Sequence, residues 1–374
     1  MTASYGGGAE KLILDQAKFF NKDLFKLHII SFREGNIEDE FRELKDVKYF
    51  CLNAPKKFKI KTLKRLLNYI KKNNMDLIHA HLIEPELYLI PIKIFKPFVK
   101  IIITKHGADE FRKNFPLSTI LKLLSLLCNK IICVSDSRRK FAEKYETINP
   151  EKISVIYNGV DTEKFKKIDD KIQRNLLMED LKIGKDDFII ASIGRLVAVK
   201  GYNFLIKASE ILKPKIKNLK ILIIGEGELE NKIKKSVNEK ELADYFIFSK
   251  FRSDLDKIYS IIDIFCLPSI REGLSTVLLE CMSCENLAVI SALESNKEIA
   301  DENEAVYYKT GDHHELAEKL LFFYEFPEKM SEIKLNARKK ILSKFNYVNN
   351  LRKIEKLYLE TINLKLGNNK NNVN

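Results

Sequence analysis

Short apolar runs alternate with longer amphipathic stretches along most of the chain. That alternation predicts parallel sheets whose strands are joined by crossover helices. In the first half the strand-like runs fall at residues 27–31, 77–80, 100–104, 130–134 and 153–157, before an Asn158-Gly159 turn. In the second half they fall at 188–193, 220–224, 246–248, 263–267 and 287–291, with helices expected from about Tyr202 and Ser275. Residues 312–366 read as helices, the last with Leu351, Ile354, Leu357, Tyr358 and Ile362 at helical spacing. A charged, weakly patterned stretch at 161–187 marks the expected junction between two α/β domains, 1–165 and 180–340. A helix over 341–366 is expected to pack back on the first. One feature breaks the pattern. A doubly wound sheet begins with a central strand that runs into its Gly-rich turn, yet only Met1 to Tyr5 precede Gly6-Gly7-Gly8. The expectation is a first sheet that lacks its first strand.

Composition adds a soluble globular chain of 374 residues with 45% apolar and 31% charged positions. The six cysteines have no paired spacing and sit mostly in apolar runs, so they read as small core residues in a reducing compartment. Lysine and arginine exceed the acids by 13, and the excess concentrates before residue 170, at Lys56 to Lys72 and over 91–140. Such a field suits an anionic membrane, a phosphorylated small molecule or nucleic acid, or it is only a set of solvated helix faces. Nucleic acid is disfavoured because no aromatic-lined basic motif appears. The most apolar stretches are broken by lysines, which argues against a membrane span and for a cytoplasmic protein that can rest on the inner membrane face. Lys56 to Lys72 has the pattern of an amphipathic helix that either docks on lipid or covers its own sheet.

The sharpest chemical constellation runs from Pro268 to Glu280. A strand ends near residue 267, a loop carries Glu272 and Gly273, and Ser275 or Thr276 can cap a helix. The exposed N–H groups at that helix start form an anion site. Glu280 lies roughly 6–8 Å further along the axis, a distance that suits the ribose of a nucleotide whose phosphates sit at the helix start. Glu272 would face a sugar on the other side of the diphosphate. A second loop, Gly194-Arg195 to Lys200-Gly201, also links strand to helix, and Arg195 and Lys200 would converge there to neutralise a diphosphate. Gly225-Glu226-Gly227 reads as a tight turn.

These segments occur together with Gly7-Gly8-Ala9-Glu10, Asp76 to His81, Thr104-Lys105-His106-Gly107, Val134-Ser135 and Ile156 to Asp161. In this order they resemble the retaining glycosyltransferase family 4, the glycosyl transferases group 1, with the GT-B fold: two Rossmann-like domains facing across a cleft. The resemblance implies ribose contact for Glu280, donor-sugar contact for Glu272, and diphosphate contact for Arg195 and Lys200. It implies distal phosphate contact for the backbone from Gly273 through Leu274, Ser275, Thr276 and Val277. His106 is implied beside the transferred sugar, and Gly7 and Gly8 in the loop of the first domain. It also implies a nucleotide-sugar donor, retention without a covalent protein nucleophile, and no cofactor or obligatory metal. The sequence departs from the family after Glu280. The family's small residue, Gly and Pro-Val become Cys284-Glu285-Asn286-Leu287-Ala288-Val289, and its Gly-Gly before a Glu becomes Glu294-Ser295-Asn296-Lys297-Glu298.

His79 and His81 share one strand face but lack further ligands for a metal, and Cys281-x-x-Cys284 reads as core packing. The expected function is transfer of a hexose or N-acetylhexosamine from a nucleotide sugar to a glycan, lipid-linked, in cell-surface polysaccharide, lipopolysaccharide or glycoprotein glycan assembly. The alternatives are a soluble acceptor or a catalytically impaired nucleotide-sugar-binding protein.

Overall fold

The computed structural model describes residues 8–35, 37–55, 58–106 and 117–363. It divides into two compact units, Met1–Asn158 with Val348–Asn374, and Gly159–Tyr347. The second unit therefore starts before the segment 161–187, where the junction was expected. Within that segment Lys171–Asp180 is a helix, capped by the Asp170 carboxylate, which accepts from the N–H groups of Ile172 and Gln173. The helix expected over 341–366 is two pieces. Met330–Lys344 stays in the second unit, and Tyr347–Thr361 belongs with the first.

The first unit carries β1 (Leu27–Ser31), β2 (Val47–Cys51), β3 (Leu77–His81), β4 (Lys100–Lys105), β5 (Lys130–Cys133) and β6 (Ile153–Val155). All pairings are parallel, but they form two sheets, β1-β2 and β3-β4-β5-β6. Among the described residues no strand joins β1 to β3. The two sheets nevertheless share a core: Ile30 and Phe32 pack in one apolar cluster with Ile78 and Ala80, under Leu66 and Ile70 of the helix Ile60–Lys72. That helix thus spends its apolar stripe on its own sheets and turns its lysines to solvent. The opposite face of β4 and β5 is covered by Ile354 and Leu357 of the helix Tyr347–Thr361.

The second unit has β7 (Phe188–Ile193), β8 (Leu219–Ile224), β9 (Phe246–Ser249), β10 (Ile264–Leu267), β11 (Leu287–Ser291) and β12 (Val306–Tyr308) in one parallel sheet of order β12-β11-β10-β7-β8-β9. Its strands are nearly continuous apolar runs because helices cover both faces. Burying each Ile or Leu side chain there contributes about 1.5–3 kcal/mol. The strand order reverses between β7 and β10, and in an open parallel sheet a crevice forms beyond the strand ends at such a reversal. The loops that leave β7 and β10 are the two that carry the candidate residues.

The helix Thr276–Ser283 ends in a Schellman arrangement. The N–H of Asn286 donates to the Cys281 carbonyl and that of Glu285 to the Met282 carbonyl. Asn286 then donates its side-chain amide to the carbonyls of Tyr259 and Ile262. Glu285, at the position of the expected family glycine, has φ 59°. A residue with a β-carbon is strained by about 1–2 kcal/mol in this left-handed conformation. Glu285→Gly is therefore expected to raise stability by about 0.5–1.5 kcal/mol, the gain being trimmed by the extra freedom of glycine in the unfolded chain. Urea denaturation followed by circular dichroism checks it, and an unchanged or lower midpoint counts against the strain.

Candidate active site

Three loops meet at the carboxyl ends of β7, β8 and β10. Gly201 has φ 67°, and a β-carbon there would lie 2.0 Å from the Pro268 carbonyl oxygen. Gly225 has φ 144°, and a β-carbon there would lie 2.0 Å from the Gly194 carbonyl oxygen. The loops thus press backbone on backbone. Hydrogen bonds fasten them: the Ile270 N–H donates to the Val199 carbonyl at 2.8 Å, and the Leu196 N–H to the Glu226 carbonyl at 2.9 Å. Gly225-Glu226-Gly227 is accordingly part of the site's frame, more than the tight turn expected.

This packing brings Lys200 to Glu272. The ammonium donates to Glu272 Oε1 at 2.6 Å, and the Ser269 hydroxyl donates to the same oxygen at 2.6 Å. The Tyr202 hydroxyl donates to the Gly194 carbonyl just beside the lysine. Burial and the Glu272 carboxylate push that phenol well up, so it stays a donor. Arg195 stands on the same loop as Lys200. Leu196, 1% exposed, anchors in the core of the unit, and Arg195 before it is turned to solvent. Among the described residues its guanidinium meets no carboxylate.

Ser275 stands at the N-cap of the helix Thr276–Ser283, yet its hydroxyl caps nothing. It is buried and without a hydrogen-bond partner among the described residues. The first-turn N–H groups of Thr276, Val277 and Leu278 have no partner within the helix by construction. Gly273 and Leu274 lead into this turn, Leu274 buried and Gly273, Thr276 and Val277 half-buried. Glu280 is 6% exposed, one turn further, with the Tyr259 hydroxyl at 3.4 Å from Oε2 and 3.0 Å from the Val277 carbonyl. The stretch that departs from the family, Glu294–Ile299, is a short helix, and it serves as a brace. Buried Asn296 donates to the Ser291 carbonyl at 2.9 Å, and the Ser291 hydroxyl donates to the Ser269 carbonyl at 2.7 Å. Tyr202 and Tyr259 are site residues that the sequence pattern did not single out, while Ser269 and Asn296 stood inside named segments without a role of their own. Tyr202 opens a helix that follows a strand, which was the available signal, whereas Tyr259 closes a four-residue helix and offered none.

In the first unit, β4 runs into His106. His81, at the end of β3, places Nδ1 3.0 Å from His106 Nε2. His79 stacks on His81 with ring centroids 4.1 Å apart, and its Nε2 lies 2.6 Å from the Thr104 hydroxyl. Lys105, the residue before His106, is buried with its ammonium 2.8 Å from Glu86 and 3.3 Å from Glu146. Arg138 also pairs with Glu146. Gly8 opens the helix Gly8–Phe19, and Gly7 lies outside the described residues.

Residues 6–164 match the model of Glycosyltransferase Family 4, and residues 173–340 match that of Glycosyl transferases group 1. The chain belongs to this glycosyltransferase family. A relative in Escherichia coli, UDP-Gal:alpha-D-GlcNAc-diphosphoundecaprenol alpha-1,3-galactosyltransferase, is 24% identical over 369 residues, covering 95% of this chain and 94% of its own. A glycosyltransferase of Rickettsia africae ESF-5 superposes with a TM-score of 0.83 at 21% identity, covering 97% of both chains. The Anabaena protein HepE, crystallised with UDP, superposes with 0.82 at 19% identity, covering 96% of this chain and 98% of its own. The glycosyltransferase thus has the GT-B fold and is a transferase enzyme.

Gly201→Ala in this glycosyltransferase places a methyl against the Pro268 carbonyl and strains a left-handed residue. Stability is expected to fall by at least about 2 kcal/mol. The unfolding midpoint in urea checks it, and a wild-type midpoint would show that the two loops are not locked at this point.

Proposed function

We propose that this glycosyltransferase moves a hexose or N-acetylhexosamine, with retention at the anomeric carbon, from a nucleoside-diphosphate sugar to a lipid-linked glycan in cell-surface glycan assembly. The observation that carries this reading is the line of groups from the Lys200–Glu272 pair through the helix start at Ser275 to buried Glu280. Glu280 accepts hydrogen bonds from the ribose hydroxyls. The helix-start N–H groups and the unpartnered Ser275 hydroxyl bind the distal phosphate. Lys200 reaches the diphosphate while its partner Glu272 receives donor-sugar hydroxyls. Arg195, on its exposed loop, closes over the phosphates on binding. With these charges facing the leaving diphosphate, no obligatory metal is needed. His106 lies beside the transferred sugar. The lipid-linked acceptor is supported by the diphosphoundecaprenol substrate in the name of the Escherichia coli relative.

Glu280→Ala is expected to weaken UDP binding by about ten- to hundredfold, the loss of a charge-assisted contact worth about 1.5–3 kcal/mol. Glu272→Ala is expected to leave UDP binding within about threefold, because it also frees Lys200, but to cut turnover by about a hundredfold or more. Calorimetry with UDP and a donor screen reading nucleotide release measure both. Full turnover in both variants would remove the site from consideration.

A membrane surface fits the same reading. Among the described residues no helix is long and apolar enough to cross a bilayer. The helices Leu89–Phe95 and Leu117–Leu127 bury Leu89, Ile92, Leu121 and Leu124 in the core but not all of their apolar residues. They and the turn after the first leave Ile94, Phe95, Phe98 and Leu126 63–92% exposed, among Lys93, Lys96, Lys100, Lys122 and Lys130. No acid occurs at 87–106 or 117–135. Apolar anchors among cations suit the anionic inner membrane face. The protein is expected to float with vesicles containing phosphatidylglycerol and not with neutral vesicles, and Phe95→Ser with Phe98→Ser is expected to abolish flotation. Flotation that ignores lipid charge, or that survives the double change, counts against this surface.

A further inference from the structure

His81 is a buried histidine to which the donor chemistry above gives no task. It is 5% exposed, at the carboxyl end of β3, and its ring lies between two others. One side packs against the tilted ring of His79, which is itself held at the Thr104 hydroxyl and the Tyr358 hydroxyl of the C-terminal helix. Its Nδ1 faces His106 Nε2 at 3.0 Å. Two imidazole nitrogens at hydrogen-bond distance hold one proton between them. Two lone pairs, or two N–H groups, would repel there.

We propose that His81 is a positioning residue for His106, fixing the plane of its ring and the direction of its Nε2. This rests on the reading of His106 as the residue beside the transferred sugar. A histidine ring is oriented by the hydrogen bond that one of its nitrogens makes. His81 is suited to the task because it stays neutral: burial, then His79 and His106, hold its protonated form well below the ordinary histidine range. The chain just before His106 is held firmly too. Lys105, just before His106, is pinned between Glu86 and Glu146, so the ring contact is made from a rigid strand end.

The test uses the full chain labelled with 15N in its six histidines, the His106 signals being assigned by their loss in His106→Ala. In the wild type at neutral pH the Nε2 of His106 is expected at the shift of a hydrogen-bonded ring nitrogen. His81→Phe keeps an aromatic ring against His79 but removes the nitrogen, and the His106 Nε2 signal is expected to move. With donor and acceptor saturating, kcat is expected to fall about tenfold or more in His81→Phe, with donor KM within about twofold. His81→Asn, whose amide can take the place of Nδ1, is expected to restore most of that loss. In a His106→Ala background His81→Phe is expected to change kcat by less than about twofold. Unchanged His106 shifts in a folded His81→Phe protein overturn the inference, as does a His81→Asn enzyme no faster than His81→Phe. Wild-type turnover in His106→Ala would instead overturn the reading of His106, and the shifts would still decide what His81 does to its neighbour.

Discussion

A carbonyl oxygen of Pro268 occupies the space where residue 201 would carry a β-carbon, and the candidate site of the second unit is arranged around that contact. The loop from β7 and the loop from β10 leave the sheet at its reversal of strand order, where nothing in the sheet itself joins their tips. The bare glycine lets them touch, and the Val199 carbonyl fastens them. Only then does the Lys200 ammonium reach Glu272. The brace from Asn296 through Ser291 to Ser269 holds the second loop from behind. Rigidity is here a property of backbone packing, and the charged side chains are placed by it.

The Lys200–Glu272 pair has an electrostatic logic of its own. Alone, each charge would lie partly buried and poorly solvated, a costly state. Paired, they are neutral together until a ligand arrives. Under the proposed function a diphosphate would compete for the lysine, and sugar hydroxyls would then find a carboxylate still oriented by Ser269. The site can thus bind a highly charged group without storing an uncompensated charge beforehand.

Most of the fold was legible because parallel strands buried on both faces are written as β-branched runs. The expected and observed ends of β1, β7 and β11 coincide, and those of the other expected strands lie within a residue or two. β2 and β12 escaped notice. Both are short edge strands, Val47–Cys51 with only partly buried residues and Val306–Tyr308 at the margin of the larger sheet, so neither presents a sustained apolar run. The motif residues were legible as chemistry, but their pairing was not. Lys200 and Glu272 are far apart in sequence, and nothing in spacing says that they meet or that Arg195 is exposed. The Ser275 hydroxyl looked like a helix cap and is an unpartnered buried donor instead. The family glycine replaced by Glu285 was visible, while the left-handed backbone that makes the change costly needed coordinates.

The first unit is discontinuous: the whole second unit is inserted between Asn158 and the helix that returns to cover β4 and β5. During synthesis the chain emerges from its amino end and domains tend to close as they appear. The second unit, one unbroken stretch, can fold as soon as it is clear of the ribosome. The first cannot, because Ile354 and Leu357, which cover one face of its sheet, and Tyr358, which holds His79, are still to be made. The unit translated first is thus the last to be completed, and until then Ile102, Ile132 and Ile156 lack the cover of Ile354 and Leu357.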